Sequence, residues 1–271
     1  MLAAVPLAVC ATPIGNLEDV TLRVLGALAA ADLVLCEDTR RTRILLERHG
    51  ISVRLASYHE HNEARRTAEM LPRLEAGETI ALVSDAGLPG INDPGMRLIA
   101  AMRDAGVPVT VLPGASAVET ALVASGFELE RYQFLGYLPR GGRALAALWD
   151  GLSAWSHAAV AFESPQRLPG ALASLATAMP DRPVAVCREL TKTFEEVVRG
   201  PARDVAARFD APPKGEITLV LGPAPPRGVP DQAGLEAVAE LVAAGVPRRR
   251  AAEVVARLTG LSRNRLYRGS L

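Results

Sequence analysis

Short apolar runs separated by amphipathic stretches set the rhythm of this chain. Val5–Ala11, Asp32–Cys36, Val53–Ser57, Thr79–Val83 and Pro108–Leu112 have the length and apolar content of buried strands. Between them, Thr21–Ala30, Thr39–His49, Asn62–Glu75 and Pro94–Ala105 carry apolar positions at helical spacing. Such alternation predicts a mostly parallel sheet with helices on its faces. A second set follows, with strands at Tyr132–Leu138, Ala158–Phe162, Val184–Arg188 and Glu216–Leu221 and helices at Gln166–Ala178 and Ala202–Phe209. The break between the sets falls at Ala124–Glu130. Pro223–Pro230 is proline-rich and reads as a stiff linker. Beyond it, Gln232–Ala244, Arg248–Leu258 and Ser262–Arg268 read as three short helices broken at Gly245–Pro247 and Gly260–Ser262. The expected layout is an α/β domain over residues 1–124, a second α/β domain over 125–223, and a small helical, helix-turn-helix-like unit over 231–271.

Composition narrows the picture. Of 271 residues, 49% are apolar, enough for a substantial core. No apolar run reaches the roughly 20 residues that span a bilayer. Leu2–Ala11 is apolar, but no basic residue precedes it, the first being Arg23, so it reads as a buried first strand and not a signal peptide. A cytoplasmic location follows as an expectation. Cys10, Cys36 and Cys187 lie in apolar runs without CxxC spacing and read as buried free thiols. Net charge is zero, which argues against coating nucleic acid by bulk charge. The distribution is uneven, however: Val246–Leu271 holds seven arginines against one acid, Glu253, for a side-chain charge of +6.

The unusual residues collect at expected strand ends, where open α/β sheets bind ligands. Ala11–Asp19 follows the first strand, Ser84–Gly95 the fourth and Pro113–Ala117 the fifth, all rich in Gly and Pro. Gly permits close backbone approach and Pro stiffens the loop. Helices opening at Pro94 and Ser116 add free N–H donors. Three such loops at successive strand ends predict a ligand site. Neither G-x-G-x-x-G opening a helix nor a Walker loop is present. His59 and His61 flank Glu60, but no third ligand stands at a recognised metal spacing, so no metal is expected.

These motifs together resemble one family over almost the whole chain. Ala11–Asp19 with Thr21–Arg23, Glu37–Arg40 with Thr42 and Arg43, Ser57–Glu63, Ser84–Gly95, Leu122–Gly126, Phe134–Arg140, Phe162–Pro165, Arg188–Lys192 and Lys214–Thr218 are similar to the ribosomal RNA small-subunit methyltransferase I family, of the tetrapyrrole-methylase-like (class III) fold. Leu88, often Thr there, and Gly90–Asn92 before Asp93 depart from the usual pattern. The resemblance implies S-adenosyl-L-methionine held between the two α/β domains, methylation of the ribose 2′-hydroxyl of a cytidine in the decoding region of 16S rRNA, and a homodimer acting on 16S rRNA or the small ribosomal subunit. It implies that Pro13, Gly15, Asp85, Gly87, Leu88, Ser116, Ala117, Phe162 and Thr218 line the donor cleft.

A ribose hydroxyl is a poor nucleophile until its proton is leaving, so a base or a charge that lowers its pKa is needed. The candidates are Glu37, Asp38, His59, His61, Glu189 and Lys192, against the plainer reading of salt bridges and helix caps. Arg40, Arg41, Arg43 and Arg140, with Arg248, Arg249 and Arg250 in the basic tail, are the expected phosphate contacts. The rival readings are a tetrapyrrole methyltransferase of the same fold and a non-catalytic ribosome-assembly factor. The basic tail speaks against the first, and the intact donor loops against the second.

Overall fold

The computed structural model describes residues 5–224 and 231–270. The chain divides after Pro223 into two compact units. Part of the apolar N-terminal stretch (residues 2–4) and part of the proline-rich linker (225–230) lie outside the described residues.

The first sheet contains β1 (Leu7–Cys10), β2 (Leu33–Cys36), β3 (Leu55–Ser57), β4 (Ile80–Val83) and β5 (Val109–Leu112). They pair in the order β3-β2-β4-β1-β5, parallel throughout. Nearly continuous apolar sequence suits strands covered on both faces. Helices α1 (Leu22–Ala30) and α2 (Thr39–Arg48) cover one face through Val24, Leu28 and Leu46. Helices α3 (Glu63–Glu75) and α4 (Met96–Asp104) cover the other through Met70, Leu74, Leu98 and Met102. Each such side chain removed from water contributes about 1.5–3 kcal/mol. The chain leaving β1 turns to the first face and the chain leaving β4 turns to the second. The crevice between these neighbouring strands is thus the topological switch point.

Helix α5 (Ala117–Ser125) leaves the first sheet and packs on the second, where Val118, Ala121 and Leu122 meet Val160, Ala185 and Val220. This helix ends at Ser125, and both sheets lie within the one compact unit that ends at Pro223. The second sheet is β6 (Tyr132–Tyr137), β7 (Ala158–Glu163), β8 (Pro183–Arg188), β9 (Glu196–Pro201) and β10 (Ile217–Leu221), in the order β6-β7-β10-β8-β9. Only β6 and β7 are parallel; β10 runs antiparallel to both its neighbours, and β8 and β9 form a hairpin. Its other face is covered by α6 (Gly142–Ser153), α7 (Leu168–Ala178) and α8 (Ala202–Arg208), with Trp149, Leu172 and Val205 in the core. Two elements of this half, α6 and β9, are absent from the sequence reading. The second unit consists of α9 (Asp231–Ala243), α10 (Arg248–Thr259) and α11 (Arg263–Gly269) around Val238, Ala251, Ala252, Val255 and Leu266.

Candidate functional site

The loop after β1 meets the loop after β4 at the switch point. Thr12 N–H donates to the Gly87 carbonyl at 2.8 Å, and Gly87 N–H donates back to Thr12 at 3.0 Å. Gly87 has φ +77, a left-handed value that favours glycine. The Thr12 hydroxyl donates to the Ser84 carbonyl at 3.0 Å and pins the same crossing. Gly15 lies against the loop after β8: a Cβ there would stand 2.6 Å from Lys192 and 2.9 Å from the Leu190 carbonyl. Asn16 N–H donates to the Thr191 hydroxyl at 3.0 Å. The loops of the two sheets are therefore locked together, and Gly15 is required by close approach.

Two chambers open where these loops converge. The larger, of about 350 Å³, has Gly87 and Leu88 on one side, Ser116 and Ala117 at the start of α5, and Phe162 and Thr218 from the second sheet. Phe162 packs edge-on against Phe134 and Tyr137, with ring centroids 5.1 and 5.6 Å apart, and Tyr137 also borders the chamber. The smaller, of about 290 Å³, is lined by Pro13, Gly15, Arg41, Asp85 and Lys192. Ile14, Ala86 and Glu216 border both. The nine residues that the resemblance assigns to one donor cleft thus fall into two adjoining chambers, Pro13, Gly15 and Asp85 in the smaller and the other six in the larger. Both volumes lie near the lower end for small-molecule sites.

The acid and base candidates separate by environment. Asp38 caps α2, accepting from Arg40 N–H at 2.8 Å, and its carboxylate is gripped by the Arg40 guanidinium at 2.7 and 3.1 Å. These bonds hold its pKa down to about 2. Glu189 is also held below the usual carboxylate range, by the Lys192 ammonium at 2.9 Å and then by the Glu216 N–H. Burial works against the Lys192 charge, but hydrogen bonds to Glu189 and Glu216 outweigh it and raise its pKa. The loop holding Glu189 and Lys192 is strained: Glu189 and Thr191 have φ of +52 and +66.

Glu37 behaves oppositely. Burial, then the negative charge of Asp85, pushes its pKa up. Asp93 is pushed up to about 6 by burial and then by the charge of Glu37. Asp93 borders the larger chamber and is the residue that sequence reasoning left without a role, although it sits in the Ser84–Gly95 motif. Its neighbour Asn92, at φ +60, is laid against Gly136 of β6, where a Cβ would meet the amide oxygen at 3.2 Å. His59 follows β3, and its Nε2 lies 3.1 Å from the Asn62 amide nitrogen. The Asn62 oxygen already accepts from His59 N–H, so the amide donates to Nε2 and the network assigns the ring proton to Nδ1. That Nδ1 is buried without a partner. His61 packs edge-on to His59 at 5.9 Å. Among the described residues no group of three His, Cys, Asp or Glu could hold a metal ion.

The arginine candidates are dispersed. Arg40, Arg43 and Arg140 are exposed, and Arg41 faces Asp85 at 3.5 Å. In the second unit, Arg248 begins α10, while Arg249 and Arg250 lie 3.6 Å from Glu253.

Comparison with known proteins agrees with this architecture. Residues 6–206 match the family described as Tetrapyrrole (Corrin/Porphyrin) Methylases, and residues 229–269 match the RsmI C-terminal HTH domain. The chain is 43% identical over 262 residues to ribosomal RNA small subunit methyltransferase I of Mesorhizobium japonicum, covering 95% of this chain and 88% of that protein. It is 41% identical to the protein of the same description from Synechocystis, covering 96% and 95%. Uroporphyrin-III C-methyl transferase from Thermus thermophilus, solved with S-adenyl homocysteine, shares the fold at a TM-score of 0.56 and 18% identity, over 80% of this chain and 96% of that one. The two-sheet body, the three small helices that follow it in the sequence and the identity across nearly the full length place the chain in the ribosomal RNA small subunit methyltransferase I family.

Proposed function

We propose that this protein transfers a methyl group from S-adenosyl-L-methionine to the ribose 2′-hydroxyl of a cytidine in the decoding region of 16S rRNA. It works as a cytoplasmic homodimer on 16S rRNA or the small ribosomal subunit. The observation that carries the reading is the larger chamber, to which both sheets contribute and which the Thr12–Gly87 crossing shapes. Its residues suit the donor. Leu88, Ala117 and the Phe162 and Tyr137 rings offer apolar and aromatic walls to an adenine, and the Ser116 and Thr218 hydroxyls offer polar contacts.

When bound, the donor supplies an electrophilic methyl on a cationic sulfur. The chain's own part in such a transfer would be to hold the ribose hydroxyl in line with that methyl and to take up the hydroxyl proton. Alignment does most of the work in such a displacement. Glu37 and Asp93 are the carboxylates whose surroundings favour taking up that proton. Asp38 and Glu189 serve better as holders, of Arg40 and Lys192 respectively. Lys192 keeps its charge and suits a phosphate or a developing alkoxide. Arg43, Arg140 and the Arg248–Arg250 run contribute phosphate contacts. The test is labelled methyl transfer to unmodified 16S rRNA and to small subunits, followed by mapping; methyl on a base or on a different nucleotide would refute the reading.

A further inference from the structure

We propose that Asp93 reads the charge of the methyl donor: its carboxylate gives the larger chamber a preference for a ligand with a cationic sulfur over the neutral thioether product. This rests on the reading of that chamber as the donor site, and adds to it a means of telling donor from product. S-adenosylmethionine and S-adenosylhomocysteine share the adenine, the ribose and the amino-acid end, so walls that fit one largely fit the other. The methyl and its positive charge are what differ. A fixed negative charge in a cavity partly screened from water acts on that difference directly.

The charged side chains that border the chamber are Asp93, Glu163 and Glu216, all acidic, with no Lys or Arg among the described residues. Two of the three are already offset. Glu163 meets the Arg167 guanidinium at 2.8 Å, and Glu216 meets the Lys192 ammonium at 3.0 Å. Asp93 has no such partner among the described residues. What faces it is the Ser84 hydroxyl and the charges of Glu37 and Asp85, both negative. Arg41 stands 3.5 Å from Asp85, on the side of the smaller chamber. A half-buried carboxylate beside two others is costly while the chamber is empty of positive charge, and a cationic ligand offsets that cost on binding. Thr218 is a second sign that the cavity is built for a polar ligand. It borders the chamber at 5% exposure, and its hydroxyl makes no hydrogen bond among the described residues. Pairing with a cation also keeps the Asp93 carboxylate ionised, the form in which it can take up a proton.

The test is calorimetric titration of full-length wild type and Asp93→Asn, which keeps the shape of the side chain and removes its charge. Three probes are used. S-adenosylmethionine carries the cationic sulfur, S-adenosylhomocysteine the neutral one, and sinefungin an ammonium on the carbon that replaces the sulfur. In Asp93→Asn, affinity for both cationic probes should fall by about tenfold or more, while affinity for S-adenosylhomocysteine stays within about twofold of wild type. Asp93→Glu keeps the charge and should hold the wild-type ratio of S-adenosylmethionine to S-adenosylhomocysteine affinity within about threefold. Thermal melting checks that each variant is folded. A fall shared equally by all three probes would show that Asp93 only shapes the chamber, and three unchanged affinities would show that its charge does not reach the ligand. Either result overturns the proposal. Failure of the parent reading is visible separately, as a wild-type protein that binds none of the three.

Discussion

Gly87 offers the sharpest perturbation of the donor loop. A Cβ built there would find its nearest neighbour, the Ala115 carbonyl, at 3.8 Å, an ordinary contact. Substitution therefore costs little by collision, and the penalty is conformational, because φ is +77. An L-residue held in the left-handed region costs about 1–2 kcal/mol, and a β-branched one more. The loop has two ways to respond. It can keep its shape and lower stability by that amount, or relax, give up the paired bonds with Thr12 and move the chamber wall. Gly87→Ala should then weaken donor binding by about 5- to 30-fold or lower stability by the equivalent 1–2 kcal/mol. Gly87→Val should lose donor binding, with the body still folded because only two backbone bonds are at stake. Calorimetric titration with S-adenosylmethionine reads the first effect and thermal melting the second. Donor affinity unchanged in Gly87→Val would remove this loop from the site. Affinity and melting both unchanged in Gly87→Ala would show that no φ constraint operates.

Asp93 makes a pH-dependent prediction. Its folded pKa of about 6 stands above the unfolded value of 3.8, so the folded protein holds the proton longer and stability falls as pH rises from about 4 to about 6. Asp93→Asn should melt higher than wild type at pH 7, by on the order of 1 kcal/mol after allowance for partial solvent exposure, with the gain vanishing near pH 4; equal melting at both pH values would refute the assignment. Deleting residues 231–271 should leave donor affinity unchanged, raise the KM for RNA and flatten the salt dependence of RNA binding, while Arg248, Arg249 and Arg250 changed together to Ala should do part of the same. A folded deletion variant with the wild-type salt slope would make the tail structural only. Arg182 is buried and donates to the carbonyls of Gly222, Leu152, Trp155 and His157. Arg182→Ala orphans these acceptors and should destabilise by about 3 kcal/mol or more in urea unfolding, and a loss below about 1 kcal/mol would mean that water replaces the guanidinium at little cost.

Much of the architecture is written in local pattern. Strands such as Leu33–Cys36 and Ile80–Val83 are apolar throughout because both faces are covered, and the pattern shows that directly. Strand β9 escapes it because an edge strand of mixed sequence, with Arg199, Gly200 and Pro201, carries no clean alternation. Helix α6 did carry a signal, with Leu145, Trp149 and Leu152 buried at helical spacing, although Gly142 and Gly151 obscure it. The antiparallel placement of β10 between β7 and β8 is a matter of long-range pairing, which local sequence does not encode. At the site, the Gly- and Pro-rich loops were legible because their composition is unusual. The division into two chambers was not, since it depends on which walls Ile14 and Glu216 reach. Nor was Asp93: its raised pKa comes from burial and from Glu37, a residue on another strand's loop.

The most direct measurement of the central claim is transfer of a labelled methyl group from S-adenosylmethionine to small subunits and 16S rRNA that lack the modification, followed by nuclease mapping and mass spectrometry of the product. The account predicts label on a single cytidine of the decoding region, on the ribose oxygen, with transfer abolished in Gly87→Val. Label on a base, label on a tetrapyrrole in preference to RNA, or full transfer by Gly87→Val would contradict it.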